Sequence, residues 1–195
     1  EEIVSHYRPS LLVRLQDGLP QWTPLPASGP APHPDLALIL PTSGSTGNAK
    51  MVMLSHGNLQ ANADSIVAYL ELGSQERAIT SLTFAYSFGL SVINSHLAVH
   101  GSLILTQRSL MERPFWELLR QCEATSLSGV PFTFEMMEKL GFRRMQLPSL
   151  RTLTQAGGRL GLPLAHTYAG YARETGRRFF IMYGQTEATA RIAYF

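Results

Sequence analysis

A single cysteine, Cys122, stands among 195 residues. One thiol forms no intramolecular disulfide and builds no cysteine cluster around a metal, which fits a reducing compartment. Apolar runs are short as well: none approaches the ~20 residues that cross a bilayer, so no membrane span is expected. The N-terminus opens Glu1-Glu2 rather than with a basic segment leading an apolar one, so no secretory signal is expected, and the expected location is cytoplasmic. Charge of one sign is also scarce. Lys and Arg number 16 against 14 Asp and Glu, too small a surplus for a protein that grips a phosphate backbone, so nucleic acid is not an expected partner. No G-x-S-x-G elbow occurs, which argues against an α/β-hydrolase.

The charge is unevenly spread. Residues 1–107 carry 4 basic and 7 acidic side chains, and the remainder carry 12 and 7. A positive half suits an anionic ligand such as a nucleotide, yet arginines scattered singly on helix surfaces produce the same count, and composition leaves both open. His96 and His100 stand four apart at metal-sharing spacing, but Leu97 sits where a zinc protease needs glutamate and no third ligand is evident, so no metal role is assigned. Cys122 has no histidine partner pattern and reads as a buried or half-buried thiol.

What is present is a core-forming chain, 45% hydrophobic and 15% charged. A strand-like run, Leu11 to Leu15, leads into residues 18–34, whose six prolines and lack of periodicity read as a surface connection. Apolar runs then alternate with segments of helical period. The strands are expected at Leu36 to Leu40, Ala78 to Leu82, Ser102 to Thr106, Ala124 to Leu127, Leu150 to Thr154 and Arg178 to Met182. The helices are expected at Ser55 to Leu70, Phe88 to Val99, Pro114 to Gln121, Phe132 to Leu140 and Leu162 to Thr175. Short strands separated by single helices imply an α/β fold, a mostly parallel β-sheet covered by helices on both faces, with ligands at the carboxyl ends of the strands.

Two of the loops in those positions are chemically unusual. After the run Leu36 to Leu40 comes Pro41-Thr42-Ser43-Gly44-Ser45-Thr46-Gly47-Asn48-Ala49-Lys50. Glycines let successive N–H groups share one concavity, hydroxyls add rotatable donors, and the lysine brings a point charge, a composition suited to an anion. The Walker pattern is not met, because Ala49 holds its second glycine position and Met51 replaces Ser or Thr after Lys50. A Ser/Gly-rich surface turn has the same composition, but Ser55 is placed to cap a helix from His56, which favours an anion loop leading into a helix.

After the last strand comes Met182-Tyr183-Gly184-Gln185-Thr186-Glu187-Ala188. Tyr183 offers a flat face for a purine, Gly184 permits close backbone approach, Thr186 can donate to a phosphate oxygen, and the Glu187 carboxylate can bring Mg²⁺ to phosphates. A helix N-terminus with Thr186 as cap and Glu187 in the first turn is a weaker reading of the same residues, and the two roles are compatible. Between these loops, Gln155-Ala156-Gly157-Gly158-Arg159 is a glycine turn at a strand end, and Phe84-Ala85-Tyr86-Ser87-Phe88 is an aromatic cluster that ordinary core would also explain.

The first loop resembles the T-S-G-S-T-G-x-P-K motif of the adenylate-forming enzymes, the superfamily of acyl-CoA synthetases, nonribosomal-peptide adenylation domains and luciferases, with Ala49 in place of proline. The second resembles their Y-G-x-T-E motif. The resemblance implies an AMP-forming acid–thiol ligase that converts a carboxylic acid and Mg-ATP to an acyl adenylate and pyrophosphate, then passes the acyl group to coenzyme A or to the phosphopantetheine of an acyl carrier protein. It implies that Thr42, Ser43, Gly44, Ser45, Thr46, Gly47 and Lys50 hold the β- and γ-phosphates, that Thr186 meets the α-phosphate, and that Glu187 carries the metal. Gly157, Gly158, Tyr183 and Gly184 would flank the nucleotide. Tyr86 would stand at the mouth of the acyl pocket, where no aspartate occurs from Leu82 to Val92 for an α-amine.

By the same resemblance, residues 1–195 are the central part of the large N-terminal domain, with the small C-terminal domain absent from this sequence, and the piece alone is expected to turn over poorly. Two other classes stay open: a non-catalytic nucleotide-binding or regulatory module that keeps the loops, and an unrelated NTPase that releases ADP.

Overall fold

The computed structural model describes residues 4–5, 8–26, 31–42 and 50–195. It divides into residues 1–36 and residues 37–195. The first unit is built on a hairpin of β1 (Leu11–Gln16) and β2 (Leu19–Pro24), antiparallel in a register that sets Leu11 opposite Pro24 and Gln16 opposite Leu19. Asp17 and Gly18 turn the chain with φ of 52° and 79°, the doubly left-handed geometry for which Asp-Gly is suited. The connection expected over residues 18–34 thus contains a strand. Its prolines at 20 and 24 obscured the period, and a two-stranded ribbon tolerates them because each strand leaves one edge unpaired.

In the second unit, β3 (Leu36–Pro41) pairs with β4 (Met51–Ser55). Ser55 then caps α1 (His56–Leu70): its Oγ accepts from the Asn58 N–H (3.1 Å), while the Asn58 side chain accepts from the Ser55 N–H (3.0 Å). The anion-suited loop therefore joins two paired strands instead of opening a helix, and the helix-terminus argument for it fails. The short run Met51-Val52-Met53-Leu54 follows directly on Lys50, so its strand character was masked by the loop before it.

The remaining elements alternate as expected: β5 (Arg77–Ile79), α2 (Ser87–Ala98), β6 (Ser102–Ile104), α3 (Arg113–Gln121), β7 (Ser126–Gly129), α4 (Pro131–Lys139), β8 (Thr152–Gln155), α5 (Leu162–Thr175) and β9 (Arg178–Tyr183). Prolines stand in the first turns of α3, α4 and α5, where their missing N–H costs nothing. A two-residue strand, β10 (Ala193–Tyr194), closes the edge. The six strands lie in the order β10-β9-β8-β7-β5-β6, parallel except for β10.

Strand periodicity sorts the side chains onto two faces. Ile79, Ile104, Leu127, Leu153 and Phe179 meet Phe115 and Leu119 of α3, Phe134 and Met137 of α4, and Tyr168 of α5 in one large apolar cluster. Burying each large apolar side chain there contributes about 1.5–3 kcal/mol. The opposite face carries Ala78, Phe180 and Met182 against Phe88 and Val92 of α2 and Tyr69 of α1. Its centre is polar: Ser128 Oγ lies 2.8 Å from Thr154 Oγ1, Ser126 Oγ lies 3.1 Å from His96 Nε2, and Arg178 donates to Thr152 Oγ1 at 3.0 Å. Helices thus cover both faces. The chain passes from β5 to β6 on one side and returns to β7 on the other, so the strand order reverses at β5.

Candidate functional site

A cleft of about 970 Å³ lies at the carboxyl ends of β8 and β9. Thr42 from the end of β3, Lys50 before β4, Tyr86 and Ser87 at the start of α2, Gly157 and Gly158 after β8, and Tyr183, Gly184, Thr186 and Glu187 after β9 all line it. Residues 37–195 alone therefore gather every expected site residue that the structure describes. Ser43, Gly44, Ser45, Thr46 and Gly47 lie outside the described residues. Thr42 and Lys50 are tied by backbone and side chain: the Thr42 N–H and Oγ1–H both donate to the Lys50 carbonyl, at 2.8 and 3.2 Å. The Lys50 ammonium and the Glu187 carboxylate are exposed and form no ion pair among the described residues, so one cleft presents a free cation and a free anion.

The second loop is held in an uncommon conformation. Thr186–Ala188 forms a single 3₁₀ turn after Gln185, and no side chain caps it, so Thr186 does not act as a helix cap. Thr189 and Ala190 follow with φ of 60° and 103°. A Cβ on Gly184 would stand 1.5 Å from the Ala190 carbonyl oxygen, so the strand end and the returning chain touch backbone to backbone. Glycine is required at 184 by close approach. Thr186 Oγ1 reaches back to Ser87 Oγ at 3.4 Å, which sets the turn against the first residue of α2.

Tyr86 belongs to the cleft, not to the core: it is 36% exposed, whereas Phe88 is 3% exposed. Its hydroxyl rests over Gly157, where an added Cβ would come within 2.6 Å, and Gly157 has φ 79°. Two residues to which the sequence alone assigns no role shape this region. Ser87 contacts Thr186, as described. Gln155, fully buried, donates from Nε2 to the carbonyls of Ala156 (3.1 Å) and Gly158 (2.9 Å) and so braces the glycine turn. Its position at the end of an apolar strand run was the available signal. His96 stands away from the cleft lining; Nδ1 is 2.8 Å from the Val92 carbonyl and Nε2 engages Ser126, so both ring nitrogens are committed to protein atoms. Burial holds its pKa below the ordinary histidine value.

An open, mostly parallel sheet with a cleft at the carboxyl ends of β8 and β9, where hydroxyls, an ammonium, a carboxylate and an exposed tyrosine ring gather, is the arrangement of a ligand-binding α/β domain. The sequence profile of the AMP-binding enzyme family matches residues 4–194, and the chain belongs to that family. It is 30% identical over 155 residues to a feruloyl-CoA synthase of Amycolatopsis sp., covering 79% of this chain and 31% of that protein. It is 28% identical over 157 residues to bacitracin synthase 3 of Bacillus licheniformis, covering 80% and 2%. Among solved structures it resembles o-succinylbenzoate coenzyme A synthetase of Bacillus subtilis in complex with ATP and magnesium ion. The TM-score is 0.69 at 27% identity, covering 80% of this chain and 32% of that one. The chain thus spans about a third of the length of the two coenzyme A synthetases. No helix among the described residues is long and apolar enough to cross a membrane.

Proposed function

We propose that the protein carrying this chain activates a carboxylic acid with Mg-ATP to an acyl adenylate and pyrophosphate, and passes the acyl group to the thiol of coenzyme A or of a carrier-protein pantetheine. The observation that supports this most is the convergence of Lys50 and Glu187, from distant parts of the chain, on one cleft. The donor set suits the ligand. Hydroxyls and an ammonium match a polyphosphate, the exposed Tyr183 ring matches a purine, and a lone free carboxylate matches a metal ion that keeps most of its waters.

The substrate carboxylate attacks the α-phosphorus in line, and the bond to the β-phosphate oxygen breaks, so no protein nucleophile or base is needed. The chain contributes position and charge. Thr42, Ser43, Gly44, Ser45, Thr46, Gly47 and Lys50 would grip the departing pyrophosphate. Thr186 would donate to the α-phosphate. Gly157, Gly158 and Gly184 would let backbone approach the nucleotide, and Tyr86 would face the acid. Glu187 would hold Mg²⁺, which neutralises charge developing on the phosphate oxygens. The lack of an aspartate from Leu82 to Val92 favours an acid without an α-amine.

Coverage of about a third of the relatives supports reading these residues as the central portion of the large domain, with the ribose-binding aspartate, the hinge and a lysine-bearing small domain supplied elsewhere. Pyrophosphate exchange, measured on the polypeptide as its native gene encodes it across fatty, aryl and amino acids, tests the reading. Mg-ATP-dependent exchange with a fatty or aryl acid is expected. Nucleotide binding without exchange for any acid would support a regulatory module instead, and release of ADP would mean phosphohydrolase chemistry.

A further inference from the structure

Arg191 follows the Y-G-x-T-E-like loop and belongs to neither motif. It is 8% exposed, and no carboxylate bonds to it among the described residues. A buried cation without an ion pair is costly and needs its hydrogen bonds satisfied. Here Nε donates to Ser91 Oγ at 3.1 Å, Nη1 donates to the Tyr69 hydroxyl at 3.0 Å and reaches Met182 Sδ at 3.4 Å, and the guanidinium carbon lies 5.0 Å from the centroid of the Phe88 ring. Both oxygen acceptors are pre-set, because Ser91 Oγ spends its proton on the Phe88 carbonyl (2.7 Å) and Tyr69 spends its own on Met182 Sδ (3.2 Å). The Arg191 carbonyl accepts from Asn62 Nδ2 at 3.1 Å. One residue therefore ties together α1, α2 and β9.

The segment just before it is the one that needs holding. The N–H groups of Ala188 and Ala190 both donate to the Gln185 carbonyl at 3.1 Å, and that of Thr189 to Thr186 at 3.0 Å, closing a turn whose last two residues sit at positive φ. Strain of that kind persists only where the surroundings over-determine it. Gly184 packs against Ala190 at one end, and Arg191 anchors the other. Its partners Ser91 and Phe88 lie on the same helix whose Ser87 meets Thr186, so the anchor fixes the turn relative to the start of α2.

We propose that Arg191 is a positioning residue, a buried clamp that holds Thr186 and Glu187 in the place a metal-bound triphosphate requires; this rests on the functional proposal that those two residues take phosphate and metal. Lysine replaces the clamp only in part, because its ammonium keeps the charge but lacks the rigid planar fork that reaches Ser91 and Tyr69 together.

The test compares Arg191→Met, Arg191→Lys and the milder pair Tyr69→Phe with Ser91→Ala in the protein as its native gene encodes it. Amide hydrogen exchange is followed segment by segment, together with Mg-ATP affinity. In Arg191→Met, exchange across residues 185–191 is expected to rise about tenfold or more while α3 and α5 keep their protection. Mg-ATP binding should weaken by about 10–100-fold, as when the support of a metal ligand is removed. Arg191→Lys should recover part of both losses. The Tyr69/Ser91 pair should move both readouts in the same direction by a smaller factor, and it decides the matter if Arg191→Met does not fold. Unchanged exchange at 185–191 in both Arg191→Met and the pair overturns the clamp, and so does weakened binding without a local change in exchange. A wild-type protein that binds no Mg-ATP overturns the functional reading, while the exchange data still decide whether Arg191 holds the turn.

Discussion

Gly184→Ala isolates the contact on which the geometry of the second loop depends. An ideal Cβ there lies 1.5 Å from the Ala190 carbonyl oxygen, 2.6 Å from its carbon and 2.9 Å from Arg191 Cα. All three are backbone atoms, so no side-chain rotation relieves the clash. Restoring a contact of about 3.5 Å to the oxygen needs the two chain segments to part by roughly 2 Å. Such overpacking costs about 1–3 kcal/mol, which for a domain of this size lowers Tm by about 2–12 °C. The turn carrying Thr186 and Glu187 moves with it, and a displacement near 1 Å is enough to cost up to ~100-fold. Calorimetric melting and titration with Mg-ATP measure the two effects. Gly170→Ala is the control: it sits inside α5, a Cβ there meets nothing within 4 Å, and alanine in a helix interior should stabilise by about 0.5–1 kcal/mol. A Gly184→Ala protein with Tm within about 1 °C of wild type and unaltered Mg-ATP affinity would refute the close approach and the reasoning built on it.

Removing a charge-assisted contact costs about 1.5–3 kcal/mol, so Lys50→Ala should raise the Kd for Mg-ATP roughly 10- to 100-fold by isothermal titration, whereas Glu187→Gln should leave binding of metal-free ATP intact and weaken that of Mg-ATP. Equal affinities in all three proteins would remove both assignments. His96 is neutral when folded because burial depresses its pKa below 6.5. Its contribution is therefore fully present above pH 6.5 and is lost as pH falls from there toward the folded value, by at most about 1.4 kcal/mol per pH unit. Urea midpoints at pH 7.5 and 5.5 should show that loss in the wild type and less of it in His96→Gln; identical slopes would count against it. Phe115→Ala, at a fully buried position in the larger cluster, should lower unfolding free energy by about 3–5 kcal/mol in a urea titration.

Strands β7 and β9 were readable because their runs follow within a few residues of helix-period segments, and the α1 start because Ser55 and Asn58 form a local capping pair. What resisted reading is non-local. Strand β4 exists through its pairing with β3, and Met53 faces solvent, so its alternation is weak. β10 is two residues long and depends on its pairing with β9 and on the stacking of Tyr194 against Tyr69 of α1. In the site, the residue types of Lys50, Thr186 and Glu187 were legible, but their convergence follows from the parallel order of the sheet. Arg191 was invisible for a related reason. Arginine ordinarily signals surface, and its partners Tyr69, Ser91 and Met182 are brought to it from three separate stretches of chain.

The contrast between the two sides of the sheet bears on how the protein can be redesigned. Where Phe115, Leu119 and Leu153 interlock, exchange for another apolar group of similar size is governed by volume, and compensating pairs of changes are available. Beneath α1 and α2, the Ser128–Thr154 and His96–Ser126 partnerships are directional, and losing one member strands the other away from solvent. A mutagenesis library therefore has room to vary the first layer by volume-conserving apolar exchange, while the second layer is best varied only in matched couples.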